Sequence, residues 1–333
     1  MLLRTTHKTR LSYSSLIGET VMELRMAPRH ERNQHRLAFD LAVGPATEVR
    51  SYFDWLGNTV HVFSIGGFHD AIEIVATSVV QTTARPGLIE KLVDIFPLGP
   101  LDDYALADYL RFDMLVCDSP ALTDFVQKLR PRGEARLAEV VGQIMAAINR
   151  DFTYQGGVTN AASPVSEMLG HGRGVCQDFA HLMIATLRKL GVPARYVSGY
   201  IHAGRQSYRG AAQSHAWCEV YFPSAGWLPF DPTNNCMVGE HFVKVGLGRS
   251  YRDVPPHKGV FRGFADENIA VEVLTEELPE VSNRSVGERF TPLGIPVYRQ
   301  SARGAALRWA LDEQVQQQQQ QQNADRPVTD KIR

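Results

Sequence analysis

A glycine break followed by the stripe of a buried helix constrains this chain most. Gly172 and Gly174 interrupt regular structure, and from Val175 onward Phe179, Ala180, Met183, Leu187 and Leu190 recur at spacings of three and four. That pattern predicts a core helix opening at the glycines and stopped by Gly191-Val-Pro193. Cys176 then falls in its first turn. There the positive end of the helix dipole and the unpaired backbone N–H groups favour a thiolate, the form that attacks carbonyl carbon. Cys176 also lies on the apolar stripe, three residues before Phe179. A small buried core cysteine would fit the same pattern, so other residues must decide.

The length, 333 residues, suits two domains or one large one, and 44% hydrophobic residues suit a globular protein with a sizeable core. With 35 basic and 36 acidic residues there is no charge surplus to attract nucleic acid or an anionic membrane. No segment reaches eighteen apolar residues, and Met1 to Lys8 lacks the apolar run of a signal peptide. A cytoplasmic location is therefore expected, and Cys117, Cys176, Cys218 and Cys236, without paired spacing, suit a reducing compartment.

Residues 1–84 read as a β-rich N-terminal domain. Leu37, Phe39, Leu41 and Val43 alternate with polar or small neighbours, and Thr59–Ile65 and Ile72–Val80 are rich in β-branched residues, which together predict a small antiparallel sandwich. His7, His30, His35, His61 and His69 show no ligand spacing and read as surface or core histidines. Residues 85–133, punctuated by Pro97, Gly99 and Pro100, read as a helical and loop connection. Residues 134–276 read as the second domain. Leu137, Val140, Val141, Ile144, Met145 and Ile148 line one face of a helix, and Ser163-Pro164 opens a short one. After the Cys176 helix come strands at Ala194–Ile201, from Ser214 to about Tyr221, at Trp227–Asp231 and at Ile269–Leu274. Residues 277–333, with a glutamine run from Gln316 to Gln322, read as a partly disordered tail.

A nucleophilic thiol needs a base, and the base needs an orienting acceptor. His215 and Asp231 lie on consecutive strands, and residues opposite in an antiparallel pair share a face, so a connecting loop of odd length is required. A five-residue loop, Phe222–Gly226, satisfies this and sets Asp231 opposite Trp217, one diagonal step from His215. Such a contact would fix the imidazole tautomer and leave its other nitrogen for Cys176. An edge-strand histidine and a plain Asp231-Pro232 turn would account for each residue singly. The ordered coincidence of a helix-start Cys, a strand His and a strand-end Asp favours the site.

Gly174–His181, Gly191–Tyr200, Ser214-His-Ala-Trp217 and Gly226–Asn235 are similar, in order and spacing, to the successive motifs of the bacterial transglutaminase-like family. The resemblance covers residues 1 to about 275, the N-terminal part less sharply. It implies an α+β fold in which an antiparallel β-sandwich precedes a papain-like, transglutaminase-like core. It further implies Cys176 as nucleophile, His215 as general base and acid, and Asp231 as orienting carboxylate. One departure is Ser250, where the family pattern has Asp in Gly-Arg-Asp-Tyr; it touches any substrate-side role of that loop and not the Cys-His-Asp set.

The implied chemistry is acyl transfer from a protein or peptide amide through a thioester, with water or a lysine amine as acceptor. Hydrolysis is the favoured reading, because excluding water needs a closed acceptor tunnel; cross-linking is the alternative. Besides the Cys176 amide, Tyr154 is a candidate second oxyanion donor, and Gln177, Trp217 and Trp227 are candidates to flank the site. No cofactor or metal is expected. A zinc site from Cys176, His181, His215, Cys218 and Cys236 has poor ligand spacing, and no calcium-loop pattern occurs. A peptide-binding module with an idle triad is the remaining class.

Overall fold

The computed structural model describes residues 1–84, 87, 89–101, 103–204, 208–210, 213–279 and 287–298. Six strands open the chain: β1 (Leu2–Ile17), β2 (Thr20–Leu24), β3 (Gln34–Gly44), β4 (Val49–Phe53), β5 (Thr59–Ile65) and β6 (His69–Thr82). Alternation is what makes them a sandwich. Leu11, Phe39, Leu41, Ile72 and Ile74 from one sheet meet Met22, Leu24, Phe63 and Ile65 from the other in a single apolar layer.

The connection carries β7 (Ile95–Phe96) and helix α1 (Pro120–Leu129), which Ser119 caps through its side chain. Strand β8 (Ala135–Arg136) pairs with β7 and leads into α2 (Leu137–Asp151). Then follow β9 (Thr153–Tyr154), α3 (Val165–His171), β10 (Arg173–Gly174) and α4 (Cys176–Lys189). A second five-stranded sheet is built from β11 (Ala194–Ile201), β12 (His215–Phe222), β13 (Gly226–Asp231), β14 (Cys236–Met237) and β15 (Phe242–Gly248), in the order β14-β13-β12-β11-β15. One face, with Ala216, Cys218, Val220, Leu228 and Phe230, packs on Phe179, Met183 and Leu187 of α4; α2 closes the layer through Val141, Ile144 and Ile148. The α3 start is one residue later than Ser163-Pro164 predicts: Pro164 itself caps the helix without a side-chain bond.

The chain then returns to where it began. Strand β16 (His257–Phe261) pairs with β2, and β17 (Glu267–Glu277) runs antiparallel to β1 from Leu3↔Glu277 to Tyr13↔Glu267. Strand β18 (Gly287–Pro292) lies parallel to β3. The sandwich sheets are therefore β17-β1-β6-β3-β18 and β16-β2-β5-β4. Residues 257–276 were expected with the second domain, and 287–292 in the tail, yet both segments hydrogen-bond into the sandwich. The physical reason is edge position: β18 is exposed along its whole length and β17 buries only Val273 and Thr275, so neither carries the alternation of an inner strand. The glutamine run lies outside the described residues. Among those described, no helix is long and apolar enough to cross a membrane.

Candidate active site

Cys176 is the first residue of α4, after the extended cap residue Val175. Asp178 secures that start. Its Oδ2 accepts from the Val175 N–H at 2.7 Å and from Thr159 Oγ1 at 2.6 Å. Burial pushes the Asp178 carboxyl above its usual range, against these two donors. Gly174 is required beside it, because a Cβ there would lie 2.6 Å from Asp178 Oδ2. The parallel pairing of β9 with β10 aligns Tyr154 with Gly174, and the Tyr154 ring tilts over Phe179 of α4 at 6.2 Å. Burial, then the neighbouring Cys176 and Asp231, push the phenol up to about 12, so it keeps its proton as a donor.

The β12–β13 register runs Cys218↔Phe230 to Phe222↔Gly226, leaving a three-residue turn, Pro223 to Ala225. This is shorter than the five-residue loop expected, because Phe222 and Gly226 pair; the parity is unchanged. Continuing the ladder by one step sets Asp231 opposite Trp217. His215 Nε2 then lies 2.9 Å from Asp231 Oδ2, both side chains being inaccessible to solvent. Burial opposes charge on the imidazole, but the Asp231 carboxylate and its hydrogen bond, with a further contribution from Cys176, outweigh it and raise His215 to about 10. The ring is therefore cationic at neutral pH. Its Nδ1 has no hydrogen-bond partner within ordinary geometry among the described residues, but Cys176 is close enough to act on the ring, with its Sγ 4.0 Å from the carbonyl oxygen of Ser214.

Asp231 is itself held on every side. Its Oδ1 accepts from the Thr233 N–H at 2.9 Å, and its Oδ2 accepts from Asn234 Nδ2 at 2.7 Å. Asn149 of α2 pins the same turn by donating to the Thr233 carbonyl at 2.8 Å. Asn234 reaches further: its Oδ1 accepts from the Arg209 N–H at 2.8 Å and its amide donates to the Arg209 carbonyl at 3.3 Å. That tether lays Gly210, at φ +81°, against the site, where a Cβ would stand 2.7 Å from His215 Nδ1 and 3.4 Å from Tyr154 Oη.

The remaining expected residues divide. Trp217 stacks on His215 at 6.2 Å and meets Phe242 edge-on at 5.5 Å; Gly199 makes room for its ring, since a Cβ there would be 2.4 Å from Trp217 Cη2. Trp227 sits at the far end of β13, opposite Tyr221, packed on Tyr109 and under the Arg195 guanidinium. Four residues of strand, about 13 Å, separate it from Asp231, so it does not flank the cluster. Gln177 turns its amide outward to the Ala161 carbonyl at 3.2 Å. Ser250 is buried, not surface-facing. Among the described residues no three His, Cys, Asp or Glu side chains converge as a metal site; His181 accepts from the Tyr251 N–H and Cys218 donates to the Phe230 carbonyl instead. Asp178, Gly210 and Asn234 were not singled out from sequence. Asn234 carried a signal, standing three residues after Asp231 in an Asp-Pro-Thr-Asn turn; Gly210, in a polar loop, carried none.

Comparison with known proteins agrees with this architecture. Residues 123–232 match the transglutaminase-like superfamily, and residues 3–81 match the bacterial transglutaminase-like N-terminal region. An uncharacterized protein of Mycobacterium leprae is 33% identical over 282 residues, 81% of this chain and 98% of the relative. The protein-glutamine gamma-glutamyltransferase of Pseudomonas aeruginosa is 40% identical over 65 residues, 18% of this chain and 10% of that protein. A crystal structure of a candidate cysteine protease from Cytophaga hutchinsonii superposes with a TM-score of 0.66 at 22% identity, over 84% of this chain and 93% of that one. With both sequence regions in order and a relative matched almost end to end, the chain belongs to the bacterial transglutaminase-like family.

Proposed function

We propose that the chain is an acyl-transfer enzyme acting on peptide or isopeptide amides, with Cys176 as nucleophile, and that its main reaction is hydrolysis. The observation that carries the reading is the orientation of His215: Nε2 is committed to buried Asp231, while Nδ1 is without a partner among the described residues and Cys176 lies near enough to act on the ring. Cys176 sulfur attacks the carbonyl carbon, forming a C–S bond. His215 Nδ1 gives its proton to the amide nitrogen as the C–N bond breaks, and the amine leaves. Water then attacks the thioester, returning a proton to His215, and the acid departs as Cys176 sulfur is released. In this reading the Cys176 backbone N–H and the Tyr154 hydroxyl serve the developing oxyanion.

A second reading, transfer to a lysine amine, is favoured by the likeness to the Pseudomonas glutamyltransferase. Mass spectrometry of unfolded casein incubated with the wild type and with Cys176→Ala, with and without millimolar cadaverine, separates the two. New termini or deamidated glutamine, absent with Cys176→Ala, are expected. Cadaverine adducts exceeding both would replace hydrolysis by transfer.

A further inference from the structure

Behind the proposed catalytic histidine lies a cavity of about 460 Å³, between the outer face of the second sheet and the sandwich segments 31–34 and 83–84. Trp217, Phe242, Trp227 and Met237 give it ring and aliphatic walls. Trp217 and Phe242 are the same rings that pack on His215, each at 6.2 Å, so one layer of aromatic groups separates the cavity from the imidazole.

The polar lining is one-sided. Arg32, Arg195 and Lys244 face only two carboxylates, Glu31 and Glu219. Both carboxylates are already engaged: Glu219 by Arg195 at 2.6 Å and by Lys244, Glu31 by Lys244 at 2.6 Å and by Arg29 at 3.2 Å. Arg32 is exposed at the rim and has no partner among the described residues. Of the apolar lining, Trp217 and Phe242 are 1% and 4% exposed, so the wall open to the cavity is formed by half-buried Trp227, Met237 and Val238. A cavity with apolar walls, spent carboxylates and an unanswered cation at its rim calls for a ligand that brings negative charge on an apolar body.

We infer that this cavity is a binding site for a carboxylate carried on an aromatic or branched aliphatic group, held by Arg32 at the rim with the apolar body against Trp227 and Met237. Two sources share that chemistry, the C-terminal residue of a peptide and a free organic acid. The site is separate from the thiol, so it stands or falls independently of the acyl-transfer reading.

The test is calorimetric titration of the full-length Cys176→Ala chain, which cannot turn over, with N-acetyl-phenylalanine, its amide, and Ala-Ala-Ala-Phe with a free or an amidated C-terminus. Saturable binding of an acid, about tenfold or more tighter than the matching amide, is expected. Arg32→Gln, with an unchanged melting temperature, should lower it about tenfold, and 0.5 M salt should weaken it. The tetrapeptide acid binding more tightly than the acetylated amino acid identifies a peptide terminus; the reverse identifies a small acid. Equal binding of acid and amide, no saturable binding of either acid, or full affinity in Arg32→Gln overturns the assignment.

Discussion

His215 Nε2 and Asp231 Oδ2 lie 2.9 Å apart with no solvent access to either side chain, and that pairing holds the imidazole protonated to about pH 10. Because the folded value is above the ordinary 6.5, the pairing contributes stability that is fully present below pH 6.5 and is lost as pH rises through about 10. Activity should fall on the same alkaline side as the proton needed by the leaving amine is lost, with apparent values belonging to the Cys176–His215 pair. In Asp231→Asn the alkaline limb should move down toward the ordinary imidazole range, and the rate at pH 7 should drop by about three to four orders of magnitude. A pH–rate profile of both proteins checks this; an unmoved limb would refute the role given to Asp231.

Thiol reactivity gives an independent reading of the site. Burial beside Asp231 pushes Cys236 up to about 12, and burial raises Cys218 well above the usual thiol range. Iodoacetamide followed by intact-mass analysis across pH should therefore add first to Cys176, with Cys117 as the comparison thiol away from the site, and Cys176→Ala should lose that adduct. First labelling at Cys117 would argue against an activated nucleophile.

Gly210 is held at φ +81°, where a β-carbon would stand 2.7 Å from His215 Nδ1. Gly210→Ala should cost about 1 kcal/mol in the backbone alone, and its methyl group must displace the imidazole or itself. A fall in kcat of tenfold or more, with only a few degrees lost in melting temperature, is expected. Wild-type kcat in Gly210→Ala would show that the strap does not press on the ring.

Asn234 links Asp231 to the backbone of Arg209. Removing its side chain in Asn234→Ala takes a hydrogen bond from a buried carboxylate and frees the strap, a loss of about 1–3 kcal/mol. The expected result is a tenfold or greater fall in kcat, with KM less affected. Urea titration beside steady-state kinetics separates the two losses, and a change in stability without one in kcat would leave Asn234 a purely structural tie.

Glu219 joins the two parts of the molecule through Lys244, which also pairs with Glu31 of the sandwich. Burial opposes its charge, but Lys244 and Arg195 outweigh it and hold the carboxyl down at about 2. With the folded value below the ordinary 4.5, its stabilisation is present above pH 4.5 and is lost as pH falls through about 2. Glu219→Gln should destabilise by about 3 kcal/mol, since it takes the carboxylate from half-buried Arg195 and leaves Lys244 only Glu31. The acid limb of the wild-type melting curve should then be blunted in the variant.

Much of this was legible in the residues because the deciding signals are local. The Cys176 helix, the strand Ala194–Ile201 and the parity that joins His215 to Asp231 all follow from periodicity and turn length. What was not legible is tertiary. Trp227 shares a face with Asp231 but lies a strand-length away, and Gly210 acts through a backbone path set by Asn234. β17 was readable as a strand over Ile269–Leu274, but its place beside β1 was not, because an edge strand buries little, and β18 is exposed along its whole length.

The return of β16 and β17 to pair with β2 and β1 has a consequence for biosynthesis. During synthesis β1 can pair with β6 at once but is made some 250 residues before its other neighbour, β17, so α4 and its sheet can condense while the sandwich still has open edges. Chaperones that shield unpaired strand edges would then act on β1 and β2 until residues 257–277 arrive to cover them.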